Sequence, residues 1–433
     1  MSNIGLGFCA IVIGGITSSV AGAQSRGQKP ELIKVTDRVY CATGYALGNS
    51  ILVLTSKSVV VVDTTESPIS AREILQDFRK ISQLPVSYII YTHNHGDHVR
   101  GATVFKAETT RIIAQKLLVP ELDAYNAQRT YYRRVAGLQF GYSLPPEERG
   151  VSLSIFRDKN PLDPENGYLP PDIQFDNEFQ INEGGVHFQL YHIQGETPDH
   201  LMVWIPEEKV LLPGDIYYPS FPMVASPMKP DRPVLEWAKS LERMRKLQPE
   251  FLVPSHWNPV MGHAKVDSAL ANYARAIRFV HNETLKRVNQ GLSLEEIRRQ
   301  VRLPEDLAKL PYLAETYGKV QWAVNGIYRQ YTGWYDFDPA HLNPGNSVDF
   351  SKAVLEAAGG FQPIIKRARL ALDEKPQLAL ELAHLVITSE KENREAHELA
   401  AQGLEKMADA AVNQVEINIY RAAAKEHRKL PDK

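Results

Sequence analysis

The residues with most to offer chemically are His93, His95, Asp97 and His98, crowded into Thr92-His93-Asn94-His95-Gly96-Asp97-His98. They directly follow Val86-Ser87-Tyr88-Ile89-Ile90-Tyr91, an apolar run whose β-branched and aromatic residues predict a buried strand. The cluster thus begins where a strand ends, which is where open α/β sheets place their chemistry. Imidazoles and carboxylates are ligands suited to Zn²⁺ or a similar divalent ion. At strand spacing, His93 and His95 point the same way and can share one ion. Asp97 and His98 lie past the turn and can face a second. Four ligands this close, with more downstream, exceed what one tetrahedral zinc needs, so the stretch predicts a two-metal site. A polar surface loop is the plain alternative, and the residue order and the preceding strand weigh against it.

Other predicted strands end on the same residue types. Residues 35–40, 50–55 and 58–62 read as short strands, the third running into Asp63-Thr64-Thr65. Residues 70–81 carry Ile74, Leu75, Phe78 and Ile81 at helical spacing. A helix over 101–106 and a strand over 110–114 follow. Strands over 175–181 and 186–193 lead to Gly195-Glu196-Thr197-Pro198-Asp199-His200, and those over 201–205 and 210–212 to Pro213-Gly214-Asp215. After a helix over 237–247, a strand over 251–254 precedes Ser255-His256-Trp257. This alternation predicts an α/β layer structure. Residues 118–172, with Tyr125, Tyr131, Tyr132, Arg133, Arg134, Phe140, Tyr142 and many prolines, read as a lid, a binding loop or a solvated connection. From about Lys265 helical periodicity dominates: 270–289, 293–300, 317–331, 348–358, then paired helical hairpins over 361–427.

The chain has 433 residues, enough for two or three domains. With 49 basic against 51 acidic residues, nothing in the charge points to nucleic acid or an anionic membrane. Residues 6–20 are apolar and small, and Ala21-Gly22-Ala23 before Gln24 has the form of a signal-peptidase site. The apolar segment is short and rich in Gly and Ser for a membrane span. Its leading residues lack Lys and Arg, so a buried first helix or an anchor is the competing reading. We expect a signal peptide over 1–23, export to a periplasm or the exterior, and no stable membrane insertion after its removal. Cys9 would leave with that segment. Cys41 alone would then remain, so no intrachain disulfide forms and ligation rests on His and carboxylates.

The pattern His93-x-His95-x-Asp97-His98 resembles the signature of the metallo-β-lactamase superfamily, which implies an αββα sandwich. Glu196, in Gly195-Glu196-Thr197, stands where that superfamily usually has a histidine, and this is similar to the type III alkylsulfatases. Asp215 and His256 match the bridging carboxylate and the last ligand. Residues 317–336, with Tyr328-Arg329-Gln330-Tyr331-Thr332-Gly333-Trp334-Tyr335-Asp336, and residues 357–361 look like the alkylsulfatase dimerisation region. The resemblance implies domains at 24–264 (catalytic) and 265–433 (all-α, dimerisation), and a homodimer formed through the latter. It implies two Zn²⁺ per chain, with His93, His95 and Glu196 on one, Asp97, His98 and His256 on the other, and Asp215 bridging. His200 and His263 are runners-up, read as supporting or structural imidazoles.

The resemblance has gaps. Trp322, in Gln321-Trp322-Ala323, stands where the alkylsulfatases have the histidine that protonates the leaving alcohol. Residues 216–224 contain no match to their sulfate-gripping Asn and Arg. Two zinc ions lower the pKa of a bridging water to about 7, giving a hydroxide nucleophile, with Asp97 or Asp215 orienting it. Tyr217, Tyr218, Tyr317 and Tyr335 are unranked candidates for the missing acid. The expected substrate is a small-molecule ester, with alkyl or aryl sulfates first. The alternatives are hydrolysis of a lactone, phosphoester or β-lactam, and a non-catalytic, metal-bearing assembly scaffold.

Overall fold

Alternating apolar side chains from two sheets fill one interior. The computed structural model describes residues 29–150 and 165–429, so the signal segment expected over 1–23 lies outside it. The first sheet runs in the order β1 (Glu31–Lys34), β2 (Val39–Thr43), β3 (Ser50–Leu54), β4 (Val59–Val62), β5 (Val86–Ile90), β6 (Arg111–Gln115) and β7 (Ile173–Phe175). Its first four strands pair antiparallel, and β4 to β7 pair parallel. The second sheet holds β8 (Glu178–Glu183), β9 (Val186–His192), β10 (Leu201–Ile205), β11 (Val210–Leu212), β12 (Phe251–Leu252) and β13 (Val260–Met261), in spatial order 13 to 8.

Period-two alternation decides which face each residue serves. Val60, Val62 and Ile90 meet Phe188, Leu201 and Val203 between the sheets. Val61, Ile89 and Ile112 point the other way, onto Ile74 and Phe78 of the helix Pro68–Ile81. That helix starts cleanly because Ser67 caps it and Pro68 occupies its first turn. On the outer face of the second sheet, Met202, Trp204 and Leu211 share a cluster with Trp237 and Leu241 of the helix Val234–Lys246. The layers are therefore helix, sheet, sheet, helix, as the sequence led us to expect. Cys41 is buried between the sheets.

The helical half is continuous with this sandwich. Ala269, Tyr273 and Ile277 of the helix His263–Asn289 and Ala323 and Ile327 of the helix Val320–Tyr331 join the same cluster as Trp237. Helices Ser347–Ala357, Phe361–Ala371, Pro376–Ser389 and Arg394–Ala410 bury Leu355, Ile365, Val386 and Leu399 together. The last helix, Gln414–Arg428, returns to the catalytic half. Asn418 Nδ2 donates to Gln139 O at 3.0 Å and Gly150 O at 3.1 Å, and Asn418 Oδ1 accepts from Gly150 N at 2.7 Å. Among the described residues no helix is long and apolar enough to cross a membrane.

Two expectations need correction. The strand expected over 35–40 begins only at Val39, because Thr36 Oγ1 accepts from the backbone of Arg38 and Val39 and turns the chain between β1 and β2. The stretch expected to be irregular opens with two helices, Leu118–Ala127 and Arg129–Gln139. Leu118–Ala127 buries only Leu118, and Arg129–Gln139 only Val135, Gly137 and Gln139, so neither carries the wide apolar stripe that marks a packed helix in sequence.

Candidate metal centre

The seven residues proposed as ligands converge at one edge of the sandwich. His93 and His95 follow β5, Asp97 and His98 lie in the short helix Gly96–Val99, and Asp215 follows β11. Glu196 sits between β9 and β10, and His256 between β12 and β13. Three groups of donors lie within 4.8 Å of one another: His93, His98 and Asp215; Asp97, His98 and His256; His95, Glu196 and Asp215. Asp215 Oδ2 stands 3.1 Å from His256 Nε2, 3.5 Å from His98 Nε2 and 3.8 Å from His93 Nε2. Asp97 Oδ2 is 3.5 Å from both His98 Nε2 and His256 Nε2. Glu196 Oε1 is 3.7 Å from His95 Nδ1.

Hydrogen bonds behind the cluster leave one ring nitrogen of each supporting imidazole facing inward. His98 Nδ1 donates to Asp63 Oδ2 at 2.9 Å, and His256 Nδ1 donates to Leu47 O at 2.9 Å. Each Nε2 then presents its lone pair to the centre, the arrangement that ligating histidines use. His93 Nε2 and His95 Nδ1 face each other at 2.9 Å. His98 Nε2, Asp215 Oδ1 and Glu196 Oε2 are buried with no hydrogen-bond partner among the described residues. Buried polar atoms without partners are costly, and inward-facing imidazole and carboxylate groups are what a divalent cation satisfies. The donor set fits a metal.

Asp63 is the hub of this support. Its carboxylate also accepts from Thr92 N at 2.8 Å, Thr92 Oγ1 at 2.9 Å and Ser255 Oγ at 2.8 Å, tying the ends of β4, β5 and β12 together. The turn it opens is strained: Asp63 has φ 56° and the β-branched Thr65 has φ 64°. Such conformations cost on the order of 1–3 kcal/mol each and persist where surrounding contacts over-determine them. Here Thr64 N donates to His98 O at 2.7 Å and Arg100 N to Thr65 O at 3.1 Å. Gly214 is also required. It has φ 58°, and a Cβ there would stand 2.4 Å from His200 Cε1. His200 stacks on His93 with ring centroids 4.7 Å apart, and its Nε2 accepts from Asp215 N at 3.0 Å. His263, at the start of its helix, lies 3.1 Å from Pro249 O and belongs to none of the donor groups.

The electrostatics follow from crowding charges in a dry place. Burial keeps His93 and His95 well below the usual imidazole range, with neighbouring cations adding to the effect. Burial also opposes charge on His98, but Asp97, Asp215 and Asp63 outweigh it and hold that imidazole well above its usual value. Burial pushes Glu196 up to about 7, against the pull of Arg232 and helped by Asp215. Arg232 pairs with Glu196, donates to Met223 O at 2.7 Å, and lies 5.6 Å over the Trp237 ring.

Two cavities open from the centre and share His95, Glu196, Lys229, Tyr125 and Tyr132. The first and smaller is walled by Phe140, Tyr142 and Tyr317 and floored by Asp97, Asp215 and His256. The second and larger adds Asn94, Thr197 and Arg232. Of the four tyrosines considered as acids, Tyr317 alone lines either cavity. Tyr217 packs on Tyr273, Tyr218 accepts a hydrogen bond from Met223 N, and Tyr335 packs with Trp334 and Phe337. Trp322 packs against the shared apolar cluster and lines neither cavity. Asp63, Lys229, Arg232 and Leu47 carried no role in the sequence reading. Only Asp63 had a visible signal, as a carboxylate at a strand tip.

An αββα sandwich with this donor set along its edge defines the metallo-β-lactamase class of fold. Residues 44–256 match the metallo-β-lactamase superfamily, and residues 293–429 match alkyl sulfatase dimerisation. The linear primary-alkylsulfatase of a Pseudomonas strain is 32% identical over 389 residues, covering 86% of this chain and 72% of that protein. The chain belongs to the alkylsulfatase family of metallo-β-lactamase-fold hydrolases. The alkyl/aryl-sulfatase of Saccharomyces cerevisiae is 27% identical, over 92% of this chain and 64% of that one. The solved stereoselective inverting sec-alkylsulfatase from Pseudomonas sp. superposes with a TM-score of 0.83 at 24% identity, over 93% of this chain and 66% of that one. This chain thus spans less than two thirds of the length of these last two relatives.

Proposed function

We propose that this protein is an exported, dinuclear zinc hydrolase that cleaves a sulfate ester. The observation that carries the reading is the convergence of seven donors whose inward-facing atoms include three with no other partner. The names of the relatives direct it to sulfate esters. On this reading His93, His95 and Glu196 hold one ion, Asp97, His98 and His256 the other, and Asp215 stands between them. When bound, zinc supplies an activated water near neutral pH and Lewis-acid stabilisation of developing charge. Asp97 and Asp215 orient that water through their carboxylates. Lys229, at the junction of the two cavities, receives the anionic end of the ester, and the aromatic walls of the smaller cavity take its organic end. We further propose removal of residues 1–23 on export to a periplasm or the exterior, a boundary between catalytic and helical domains near residue 264, and a homodimer formed through the helical half.

The deciding experiment is a turnover panel on zinc-loaded protein lacking residues 1–23. It compares dodecyl sulfate, 4-nitrophenyl sulfate, a phosphodiester, a lactone and a β-lactam, with Glu196→Ala as control. Zinc-dependent sulfate release, abolished in the control, is the expected result. Turnover elsewhere in the panel without sulfate release would show a different hydrolase, and two bound zincs with no turnover would point to an assembly scaffold.

Arg232 makes a second test of the same site. Arg232→Met removes the cation that helps keep Glu196 ionised, so its carboxyl rises above about 7 and takes up a proton more readily. Zinc affinity is expected to fall about 10–100-fold, as for other groups that orient a ligand. The loss should deepen on going from about pH 8 to about pH 6, because a protonated carboxyl does not ligate. Competition with a chromophoric chelator at the two pH values reads both effects.

A further inference from the structure

One buried carboxyl beside the centre belongs to none of the donor groups. Glu66 follows the strained turn after β4, is 1% exposed, and lines the same cavity as Asp97, Asp215 and His256. Its Oε2 accepts hydrogen bonds from Leu47 N at 2.8 Å and Thr65 Oγ1 at 2.9 Å. Its Oε1 has no partner among the described residues. One oxygen of this carboxyl is therefore fixed by two donors, and the other is left for something that enters the cavity. A buried oxygen kept without a partner calls for such an explanation.

We propose that Glu66 is the general acid of this hydrolase, its Oε1–H donating a proton to the leaving oxygen of the bound ester. The proposal rests on the hydrolase reading above. In the step, the bond from the attacked sulfur to the leaving oxygen breaks as a water oxygen bonds to that sulfur. The leaving oxygen takes the Oε1 proton, and the Glu66 carboxylate regains one from the water consumed. A sulfate monoester and water thus give an alcohol and hydrogen sulfate.

The surroundings suit this task. Burial pushes the Glu66 carboxyl up to about 7, Thr65 and Leu47 pull it down, and Asp97 pushes it up again. The titratable and charged groups that share its cavity are the donors His95, Asp97, Glu196, Asp215 and His256, the cations Arg100 and Lys229, and the phenols of Tyr125, Tyr132, Tyr142 and Tyr317, and Arg149 lies 5.8 Å from the Tyr142 ring. An acid is best placed when its pKa lies near the working pH. Tyr317 is a poorer donor, because burial holds its hydroxyl well above the usual phenol range.

Glu66 also braces His256, since Leu47 links the two through its N–H and its carbonyl, so the test must separate the roles. Glu66→Gln keeps an acceptor for Leu47 and Thr65 but cannot give up a proton. Expected for this variant is a loss in kcat/KM of roughly 10²–10⁴-fold on dodecyl sulfate, whose alkoxide needs protonation. On 4-nitrophenyl sulfate, whose phenolate leaves unaided, the loss should stay under about 10-fold. Zinc content should be unchanged. The fall in dodecyl sulfate turnover as pH rises through about 7 should vanish with the carboxyl. Infrared spectra of the unaltered protein near pH 6 should show a protonated-carboxyl band that Glu66→Gln lacks. Equal losses on both substrates, lost zinc or no such band would overturn the acid role and leave Glu66 a positioning residue for His256. Failure of the unaltered protein on every sulfate would instead overturn the hydrolase reading, and the acid role with it.

Discussion

Asp215→Ala is expected to lower metal content by more than half and to cut turnover by about 10³-fold or more. The first figure follows from its position, because Asp215 belongs to two of the three donor groups and its Oδ1 has no other partner. The second follows from the several kcal/mol of charge stabilisation that a bound metal supplies, at about 1.4 kcal/mol per tenfold. Elemental analysis of the dialysed protein and kcat/KM on its best ester read the two effects. The metal-free proteins give an independent check with a defined sign. Asp215 helps raise His98 and His256 above their ordinary values against the opposing effect of burial. Groups raised in the folded state add stability that is complete below their unfolded pKa of about 6.5 and fades as pH rises through the folded value. The metal-free Asp215→Ala protein should therefore lose more stability at about pH 5.5 than at about pH 9. Near-normal zinc content would remove Asp215 from the ligand set.

Asp63→Ala should be the most damaging change among residues outside that set. Four donors would lose their acceptor at once: Thr92 N, Thr92 Oγ1, Ser255 Oγ and His98 Nδ1. All of these residues are buried, so water is poorly placed to replace the carboxylate. Breaking a buried charged pair costs about 3–5 kcal/mol, and loss of a ligand's orienting partner costs about 10–100-fold in metal affinity. Urea unfolding of the metal-free protein and a zinc titration measure the two separately. A change under about 1 kcal/mol with unaltered zinc binding would mean that Asp63 is not the hub described. Asp63→Asn, which keeps an acceptor oxygen, should lose less on both counts.

The difference between these two residues also shows what could be read from sequence. Asp215 was legible because ligands at strand ends leave a mark in one dimension: an apolar run, a turn and a metal-binding side chain. The four buried valines of β4 were legible as the continuous apolar run of a strand covered on both faces, and β9 by its alternation with a period of two. Asp63 shows that mark, a carboxylate at the tip of β4, but not its partners, and Glu66 leaves none. Their roles come from Ser255, 192 positions from Asp63, and from Leu47, 19 positions from Glu66. The helices Leu118–Ala127 and Arg129–Gln139 were hidden because the residues they bury are few and include Gly137 and Gln139, so their sequences lack the apolar spacing that reveals packed helices. Yet Tyr125, Tyr132, Phe140 and Tyr142 do line the cavity, so the aromatic richness of that stretch pointed to a cavity wall even though its helices were not legible.

The contact from Asn418 to Gln139 and Gly150 joins positions 279 and 268 residues apart, and it fastens the roof of the smaller cavity to the last helix of the chain. A polypeptide made from its N-terminus outward will have produced every metal-binding side chain long before it can close that roof. During synthesis the nascent centre stays open on one side until the helix Gln414–Arg428 arrives. Ion capture can then precede completion of the substrate chamber, and the chain's tail serves as the closing piece of its own catalytic half.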